Sequence, residues 1–277
     1  MKVFIFGQSG MLGRYVYSFF QSKGYEVIAI NRDSLDIIES DCYHIKSLLF
    51  KSGISKEDVV INCAGLIKQR AGISKFDFIK VNAVFPHLLQ KMCEEVGCNF
   101  IHVTTDCVFD GLRGSYSELD RHDAIDMYGI TKSLGEPEGA TVIRTSIIGE
   151  EFKNFYSLLE WVKTNRDKEV RGYTNHIWNG ITCLQFAKVC RYIIKNNLYW
   201  QGVKHLTAPN TISKFNLVKL ISNVYDLNVK VVPYETEIKC DRSLISVRSD
   251  VYFVTPELEE QLLEMKIFYE RLVSEEG

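Results

Sequence analysis

The sequence lacks the features that assign a chain to several large classes of protein. No apolar run approaches ~18 residues, the length that spans a membrane, and the start MKVFIFG has no basic segment before an apolar one. The eight cysteines include no CxxC pair and none has metal-ligand spacing with a histidine, so we expect reduced thiols and no metal site. The 33 basic and 35 acidic residues form no long blocks, which argues against nucleic-acid or membrane-surface binding. These absences predict a cytoplasmic protein and leave small anionic ligands open, because such ligands need only a local pocket.

Apolar, β-branched runs alternate with helical patterns from residue 1 to about residue 150. The runs are KVFIF, YEVIAI, DVVINCAG, NFIHVTT and ATVIRTSIIG. Four helical patterns lie between or after these runs. The first ends at Lys23, the next two cover 41–51 and 77–97, and the fourth is YGITKSLGE. Pro86 lies inside the third pattern, so we expect a kink or a new helix near it. The alternation predicts an α/β fold with a doubly wound parallel sheet.

The remaining residues show a different pattern. They contain helical segments at 152–165, 182–196, 213–225 and 256–273, and short apolar runs at 203–206 and 229–232. No linker rich in Gly, Pro or Ser separates the two halves, so they should pack tightly with a cleft between them. We therefore predict a dinucleotide-binding domain over 1–150 and a smaller, mostly helical substrate-binding lobe over 151–277, interleaved with it.

The stretch GQSGMLG has a glycine at every third position, Gly7, Gly10 and Gly13, between the first predicted strand and the helix that follows. At such a turn a dinucleotide pyrophosphate meets the N–H groups of a helix N-terminus, and glycines let the backbone come close. The spacing GxxGxxG differs from the GxGxxG of ordinary dehydrogenases. A tight turn with close helix packing is the alternative, but the flanking strand and helix favour a dinucleotide site.

The end of the second predicted strand indicates which dinucleotide is bound. An acidic residue there would hold the ribose 2′-hydroxyl of NAD, but the sequence has Asn31 and Arg32. A guanidinium binds a 2′-phosphate through two parallel hydrogen bonds, whereas a carboxylate would repel it. NADPH is therefore favoured. NADH stays open because Asp33 follows, and Arg32 as an ordinary surface residue is the alternative.

Tyr128 and Lys132, in YGITK, lie one turn apart on a predicted helix. We expect the lysine charge to lower the pKa of the tyrosine toward working pH, which suits a proton donor to an oxygen whose carbon receives hydride. A Tyr-xxx-Lys pair is common by chance in a chain with 14 tyrosines, so its context matters. Upstream, HVTTDCVFDG puts hydroxyls and a carboxylate at the carboxyl end of a strand, where open α/β sheets bind ligands.

Six segments occur in the order and spacing of the extended short-chain dehydrogenase/reductases. They are GQSGMLG, INCAG (61–65), VNAVFPHLL (81–89), TTDCVFDG (104–111), YGITKSLGE (128–136) and VIRTSIIG (142–149). Within that superfamily the chain most resembles the dTDP-4-dehydrorhamnose reductases. The resemblance implies a Rossmann-type sheet and a reductase that transfers hydride from NADPH to C4 of a nucleotide-linked 4-keto-6-deoxyhexose, for the deoxysugars of surface polysaccharides.

The resemblance also implies roles for individual residues. Tyr128 would protonate the nascent alkoxide, Lys132 would lower the tyrosine pKa and hold the nicotinamide ribose, and Thr105 would hydrogen-bond the substrate oxygen. Asp106 would face the sugar. The residues implied at the cofactor are Gly7, Gly10, Met11, Leu12 and Gly13 at the pyrophosphate, Asp36 and Ile37 at the adenine, Cys63, Ala64 and Gly65 at the far ribose, and Asn82 at the nicotinamide.

Cys107 departs from the family, which reads STDYVFDG with tyrosine at this place. In the related GDP-fucose synthases, and in plant enzymes that epimerise and reduce a UDP-4-keto sugar, a cysteine here acts as an acid or base beside the keto group. A thiol of pKa ~8.5 exchanges such protons if its site lowers that value. A bifunctional 3- or 3,5-epimerase/4-reductase is therefore one alternative, and a small core residue is another. Epimerisation also needs a second residue that acts as the base when the cysteine acts as the acid, or the reverse. Those families supply it in the segment after the VIRTS strand, where this chain offers only Lys153.

The family carries a tryptophan against the sugar where this chain has Ile147. The segment YTNHIWNGITCLQFAK stands where relatives read DQxGxPT. The residues expected to line the sugar-nucleotide site from this segment are Asn175, His176, Trp178 and Asn179. Trp178 would supply the missing ring, and Arg242 would reach the diphosphate. The alternatives are that Trp178 packs in the core, that His176 is a hydrogen-bonded surface or packing residue, and that Arg242 lies in a solvated surface loop.

Two other classes of function use this fold. The regulatory subunit of methionine adenosyltransferase resembles the same family and binds dinucleotide without needed turnover, whereas Thr105, Tyr128 and Lys132 favour catalysis here. NDP-sugar 4-epimerases and 4,6-dehydratases keep their cofactor bound, and a dehydratase needs Thr-Asp-Glu where this chain has Thr-Asp-Cys. We expect a homodimer, the usual state of the superfamily, and a nucleotide-sugar substrate whose base the sequence leaves open.

Overall fold

The computed structural model describes residues 1–68, 72–152, 155–251 and 253–276. Within these ranges the strands are β1 (Lys2–Phe6), β2 (Glu26–Ile30), β3 (Val59–Asn62), β4 (Asn99–Thr105), β5 (Thr141–Thr145), β6 (Ile147–Ile148), β7 (Glu169–Tyr173), β8 (His176–Trp178), β9 (Ile181–Thr182), β10 (Gly202–His205), β11 (Ile212–Ser213), β12 (Lys230–Tyr234) and β13 (Cys240–Asp241). The helices are α1 (Met11–Ser22), α2 (Cys42–Lys51), α3 (Lys75–Phe78), α4 (Phe85–Val96), α5 (Met127–Leu134), α6 (Leu158–Thr164), α7 (Cys183–Asn196), α8 (Lys214–Val224) and α9 (Leu258–Glu276). None of these helices combines the length and the apolar character needed to cross a membrane.

Six parallel strands form the central sheet, in the order β10-β5-β4-β3-β1-β2. Its two faces belong to two hydrophobic clusters. Val3 and Ile5 of β1 share one cluster with residues of α1 and α7, whereas Phe4 and Phe6 share the other with residues of α2 and α4. Helices thus cover both faces, which a parallel sheet requires. The predicted α/β fold with a doubly wound parallel sheet is confirmed.

The boundary predicted at residue 150 does not separate the sheet from the second half of the chain. β10 comes from that half, yet it pairs in parallel with β5, Gly202 opposite Thr141 and His205 opposite Arg144. α7 from the same half packs against α1. β10 and α7 therefore belong with the main sheet, although they come from the second half of the sequence.

The second half also contains more strand than the sequence predicted. β7 pairs in parallel with β12, and β8 lies between β11 and β13 in a small sheet. β7 has the sequence EVRGY, in which Val170 and Gly172 are the buried positions. A single large apolar residue is too weak a pattern to predict a strand. The predicted helices correspond to α6 to α9, of which α6 begins later than expected.

The long helical pattern around Pro86 is divided by a π-helical turn. α3 continues into this turn, which covers Ile79–Val84, and α4 then begins at Phe85 with Pro86 in its first turn. Proline is tolerated at a helix start because it lacks the N–H that the interior of a helix uses. The new helix expected near Pro86 is confirmed.

A buried carboxyl group connects α1 with the second half of the chain. Glu150, which is fully buried, accepts hydrogen bonds from the hydroxyls of Tyr15 in α1 and Tyr225 after α8, the second at 2.5 Å. Lys163 Nζ lies 3.9 Å from the same carboxyl group. Burial raises the pKa of Glu150, although the two hydroxyls and Lys163 oppose the shift.

Candidate active site

The glycine turn lies at the carboxyl end of β1, beside the end of β2. The Gly7 N–H donates to the Ile30 carbonyl at 3.0 Å, and Gly7 has a φ of +80°. A Cβ on Gly7 would sit 2.7 Å from the Ala64 backbone, and one on Gly13 would sit 2.1 Å from the Gly7 carbonyl oxygen. Packing alone therefore requires glycine at these two positions.

Gly10 has no comparable packing requirement. A Cβ there would meet the Gly7 carbonyl oxygen at 3.4 Å, and Gly10 is exposed. Gly10 is the N-cap of α1, which has no side-chain cap and no acidic residue in its first turn. The N–H groups of Met11, Leu12 and Gly13 precede the first intrahelical bond and point out of the helix end. Such an end fits an anion like the predicted pyrophosphate.

Arg32 follows β2 and is exposed, as the prediction of a 2′-phosphate site requires. Its Nε donates to Asp36 Oδ2 at 3.0 Å, and its side chain is 60% exposed. Asn31 Oδ1 accepts from the N–H groups of Asp33 and Ser34 at 3.0 and 3.1 Å, which shapes the turn that presents Arg32. Asp36, expected at the adenine, is thus also the partner of Arg32.

The loop after β3 runs along the same edge of the sheet. The Cys63 N–H donates to the Phe6 carbonyl at 3.0 Å, and the Ala64 backbone touches Gly7. Burial raises the pKa of the Cys63 thiol to about 12. The predicted ribose contacts Cys63, Ala64 and Gly65 therefore lie directly beside the glycine turn.

Asn82, expected at the nicotinamide, holds this loop in place. Its Oδ1 accepts from the Leu66 N–H at 2.8 Å, and its Nδ2 donates to the Leu66 carbonyl at 3.0 Å. The same Nδ2 lies 3.5 Å from the Thr131 hydroxyl of α5. A Cβ on Gly65 would lie 3.5 Å from Asn82 Oδ1 and 3.9 Å from Lys132 Nζ. The loop, the π-helical turn and α5 therefore meet at one place.

α5 carries Tyr128 and Lys132, as predicted, and begins at an N-cap, Asp126, whose side chain accepts from the Gly129 N–H at 2.9 Å. Lys132 is 5% exposed, and its Nζ donates to the Val103 carbonyl of β4 at 3.0 Å. Burial lowers the pKa of Lys132 to about 8. The Lys132 ammonium group is therefore buried and hydrogen-bonded to β4.

The expectation that Lys132 lowers the pKa of Tyr128 was wrong for this structure. Burial raises the pKa of Tyr128 well above its ordinary value, and Cys107 and Asp106 raise it further, while a hydrogen bond with Thr105 opposes the shift. The reason is that the phenol is buried near Cys107 and Asp106, while Lys132 Nζ donates to the Val103 carbonyl. Tyr128 is therefore a neutral phenol at neutral pH, with a proton to donate.

Thr105, Asp106 and Cys107 form a turn at the end of β4. The Thr105 hydroxyl donates to Asp106 Oδ1 at 3.0 Å and accepts from the Cys107 N–H at 3.2 Å. Burial and the Asp106 charge raise the pKa of the Cys107 thiol to about 12, against the opposing influence of Arg242. The Cys107 thiol is therefore protonated at neutral pH. An acid or base that exchanges protons beside the keto group would instead need a lowered pKa.

Two lysines near this turn were not predicted from the sequence. Lys214 at the start of α8 is partly buried, and burial lowers its pKa while Asp106 and Cys107 oppose the shift. Lys68 pairs with Asp126 at 2.6 Å, and its Nζ lies 5.9 Å from the centroid of the Tyr128 ring. No motif in the sequence surrounds either lysine, so only the three-dimensional structure brings them to the site.

The side chains of Asn175 and Asn179, expected at the sugar nucleotide, are hydrogen-bonded to backbone groups. Asn175 Nδ2 donates to the Thr236 carbonyl at 2.7 Å, and its Oδ1 accepts from the Thr236 N–H at 3.2 Å. Buried Asn179 makes the matching pair of bonds with Leu244, at 2.8 and 3.0 Å. His176 Nε2 lies 3.0 Å from the Thr236 hydroxyl. These side chains hold the segment around β13 against β8.

Trp178 packs beside Lys214, and Arg242 contacts the loop that follows Cys107. Trp178 is 5% exposed, and Lys214 Nζ lies 5.0 Å from the centroid of its ring. Arg242 donates from Nε to the Phe109 carbonyl at 2.8 Å and from Nη2 to the Asp110 carbonyl at 3.1 Å. Arg242 therefore brings positive charge to the site while it anchors the loop that follows Cys107. Lys153 lies outside the described residues.

The site contains no metal ligands in a suitable arrangement. Across the described ranges, no group of three or more His, Cys, Asp or Glu side chains is placed to hold a metal ion. What the residues do assemble is a neutral phenol, a hydroxyl and a buried ammonium group at the carboxyl ends of parallel strands, next to an uncapped helix N-terminus. This is the edge at which open α/β sheets bind ligands.

Known proteins share both the sequence pattern and the fold. The family model described as the RmlD substrate binding domain matches residues 1–246. The chain is 25% identical over 225 residues to the dTDP-4-keto-6-deoxy-D-glucose reductase of Streptomyces niveus, over 77% of this chain and 75% of that protein. It is 24% identical over 251 residues to the methionine adenosyltransferase 2 subunit beta of Danio rerio, over 82% of this chain and 74% of that protein.

A solved structure with the same fold contains a dinucleotide. The dTDP-4-dehydrorhamnose reductase of Bacillus anthracis, in complex with NADP, has a TM-score of 0.81 to this chain at 22% identity, and the match covers 96% of this chain and 99% of that one. The Rossmann-like arrangement of sheet and helices is therefore shared over nearly the whole length.

Proposed function

Because the chain belongs to the RmlD substrate binding domain family, we propose that it is an NADPH-dependent oxidoreductase that reduces the C4 keto group of a nucleotide-linked 4-keto-6-deoxyhexose. The observation that carries this proposal is the meeting of Thr105, Tyr128 and Lys132 at the end of β4. The reductase activity named for the Streptomyces niveus relative belongs to the same reaction class. The product would be a deoxysugar nucleotide for polysaccharide synthesis in the cytoplasm.

The ends of β1 and β2 fit NADPH. The N–H groups of Met11, Leu12 and Gly13 would bind the pyrophosphate, and exposed Gly10 leaves room for it. Arg32 would bind the 2′-phosphate through its Nη groups while Asp36 holds its Nε. Half-buried Ile37 and the loop Cys63–Gly65 would contact the adenine and the far ribose, and Asn82 would keep that loop in position.

When bound, NADPH supplies the hydride. Tyr128 donates its phenolic proton to the C4 oxygen as negative charge develops there, and its raised pKa keeps that proton available at neutral pH. The Thr105 hydroxyl, which influences the pKa of Tyr128, would orient the same oxygen. Lys132, whose Nζ donates to the Val103 carbonyl, would hold the nicotinamide ribose.

The second half of the chain would bind the sugar nucleotide. Arg242 and Lys214 bring positive charge to the turn that carries Asp106, which suits a substrate with a diphosphate. His176 and the edge of Trp178 would contact the hexose. In this assignment residues 1–150 mainly hold the dinucleotide and residues 151–277 mainly hold the substrate, apart from β10 and α7, which complete the sheet domain. We also expect a homodimer.

Epimerisation beside the keto group is the alternative that Cys107 raised in the sequence. Burial and the Asp106 charge raise the pKa of the Cys107 thiol to about 12, whereas an acid or base at C3 or C5 needs a lowered one. Lys214 lies near Cys107 and Asp106, and burial lowers its pKa. We therefore propose reduction alone, and deuterium exchange tests the alternative.

The test is to mix the protein with NADPH and a panel of 4-keto-6-deoxy sugar nucleotides in deuterated water, following NADPH absorbance and product NMR. NADPH oxidation without ring deuterium would support a C4 reductase alone. Oxidation with deuterium at C3 or C5 would support the bifunctional alternative. Binding of NADPH without oxidation by any substrate would instead favour a regulatory dinucleotide-binding subunit and overturn the proposal. Light scattering of the same sample measures the oligomeric state.

A further inference from the structure

The C-terminus of α4 brings two cysteines together at the edge of the sheet opposite the candidate active site. α4 ends at Val96, and Gly97 follows in the left-handed conformation, with φ of 81°. The Cys98 N–H donates to the Cys93 carbonyl at 3.0 Å, and the Gly97 N–H donates to the Glu94 carbonyl at 3.2 Å. This pair of bonds is the Schellman motif, which brings the residues at the two ends of the six-residue turn, C3 and C″, to the same side of the helix end. Here both of those side chains are thiols.

Solvent reaches this pair through a cavity. A cavity of about 570 Å³ is lined by both Cys93 and Cys98, together with Tyr199 and Arg248. Cys93 is 2% exposed, whereas Cys98 is partly exposed. β4 starts one residue after Cys98 and has seven residues, so its far end, Thr105, is roughly 20 Å away.

We propose that Cys93 and Cys98 form a thiol oxidation site, in which the Cys98 thiolate attacks a hydroperoxide and Cys93 then closes an intramolecular disulfide. The Cys98 thiolate takes the terminal peroxide oxygen, the O–O bond breaks, and the Cys98 sulfenic acid forms with release of water or alcohol. The Cys93 sulfur then attacks the Cys98 sulfur, and the hydroxyl leaves as water. For hydrogen peroxide, two thiols and one peroxide give one disulfide and two waters.

The local electrostatics favour this order of attack. A hydrogen bond from the Cys93 thiol lowers the pKa of Cys98, although burial opposes the shift, and the same hydrogen bond raises the pKa of Cys93. The thiolate therefore forms first on the more exposed sulfur, and the Schellman turn places Cys93 beside it. A low-pKa, accessible thiol beside a resolving thiol is the arrangement found in cysteines that sense oxidants.

Four of the six other thiols are less reactive because burial raises their pKa values. Burial raises the pKa of Cys63 and of Cys107 to about 12, and Cys183 and Cys190 are fully buried with raised pKa values. None of the eight cysteines, all of which lie in the described ranges, forms a disulfide in this structure. Selective oxidation of Cys93 and Cys98 is therefore a specific expectation, and it does not depend on the proposed reductase activity.

The test treats the reduced full-length protein with stoichiometric hydrogen peroxide, blocks the remaining thiols, and digests with a protease that cleaves after glutamate. Glu94 and Glu95 separate the two cysteines, so their peptides stay joined only through a disulfide. We expect two of the eight thiols to be lost and the joined peptide to be the main product. Earlier loss of other thiols, or a sulfenic acid on Cys98 that never joins Cys93 in the wild type, would overturn the proposal.

Variants separate the two steps. In C93S we expect dimedone to trap a sulfenic acid on Cys98, and in C98S we expect no rapid oxidation of Cys93. C42S is the matched control, since Cys42 is also partly exposed but lies outside the pair, and it should form the disulfide at the wild-type rate. If Cys93 is oxidised in C98S as fast as in the wild type, Cys98 is not the sulfur that must react first, and the proposed order is overturned. If a variant fails to fold, the peptide map of the wild type still decides the outcome.

Discussion

Gly129 packs so closely on Cys107 that a Cβ built on Gly129 would lie 2.2 Å from the Cys107 carbonyl oxygen. The helix that carries Tyr128 is therefore in direct backbone contact with the turn that carries Thr105. G129A should push the two apart, and because a proton donor displaced by even about 1 Å can lose 100-fold in rate, we expect a loss of that order in kcat. The variant I130A, on the exposed side of the same helix, should keep wild-type turnover.

Removal of the Tyr128 hydroxyl should abolish proton donation without disturbing the cofactor site. Y128F is expected to lower kcat by about 100-fold or more, since a positioned acid contributes on that scale, and to bind NADPH with unchanged affinity. Stopped-flow measurement of hydride transfer and fluorescence titration of NADPH give the two quantities. Y43F, at a tyrosine that is 75% exposed, is the control. Hydride transfer that survives Y128F unchanged would show that another group donates the proton.

Lys132 should impose a basic limb on the pH profile. Its pKa is lowered to about 8 by burial, so the free enzyme loses this positive charge as the pH rises through that value. We expect kcat/KM for NADPH to fall above pH about 8. In K132R the guanidinium stays charged throughout, so any residual activity should lack this limb. A limb that persists in K132R would assign it to a different group.

Arg32 should set the preference for NADPH. In R32Q the charged hydrogen bonds to the 2′-phosphate are lost, which corresponds to about 10- to 100-fold weaker binding of NADPH, while NADH binding should change little. R121Q, at an exposed arginine away from the glycine turn, is the matched control. Equal loss of affinity for both dinucleotides in R32Q would mean that Arg32 acts through the fold of its turn and not through the phosphate.

Glu150 should contribute strongly to stability through its two tyrosine partners. E150L leaves the hydroxyls of Tyr15 and Tyr225 buried without an acceptor, so we expect the free energy of unfolding to fall by about 3 kcal/mol. The triple variant with Y15F and Y225F added removes the stranded hydroxyls and should recover part of that loss. Chemical denaturation measures both. A triple variant less stable than E150L alone would contradict this account.

The parts of this structure that the sequence predicted are those with strong local patterns. The parallel sheet follows from buried strands that alternate with amphipathic helices, and Tyr128 and Lys132 are related by helical spacing alone. Lys214 meets the Thr105–Cys107 turn only through the packing of α8, which no local pattern encodes. The direction of the Tyr128 pKa shift was missed for the same reason, because it depends on how deeply packing buries the phenol and on the acidic groups that packing places near it.

The position of β10 has a consequence for how the polypeptide folds as it leaves the ribosome. β5 is complete at Thr145, but the strand that covers its outer edge does not begin until Gly202. Until then the nascent sheet exposes a row of unpaired N–H and carbonyl groups, which is the surface most prone to pair with another chain. A polypeptide that stops at the end of the nucleotide-binding half would keep that edge permanently, and we expect it to aggregate where the longer chain does not.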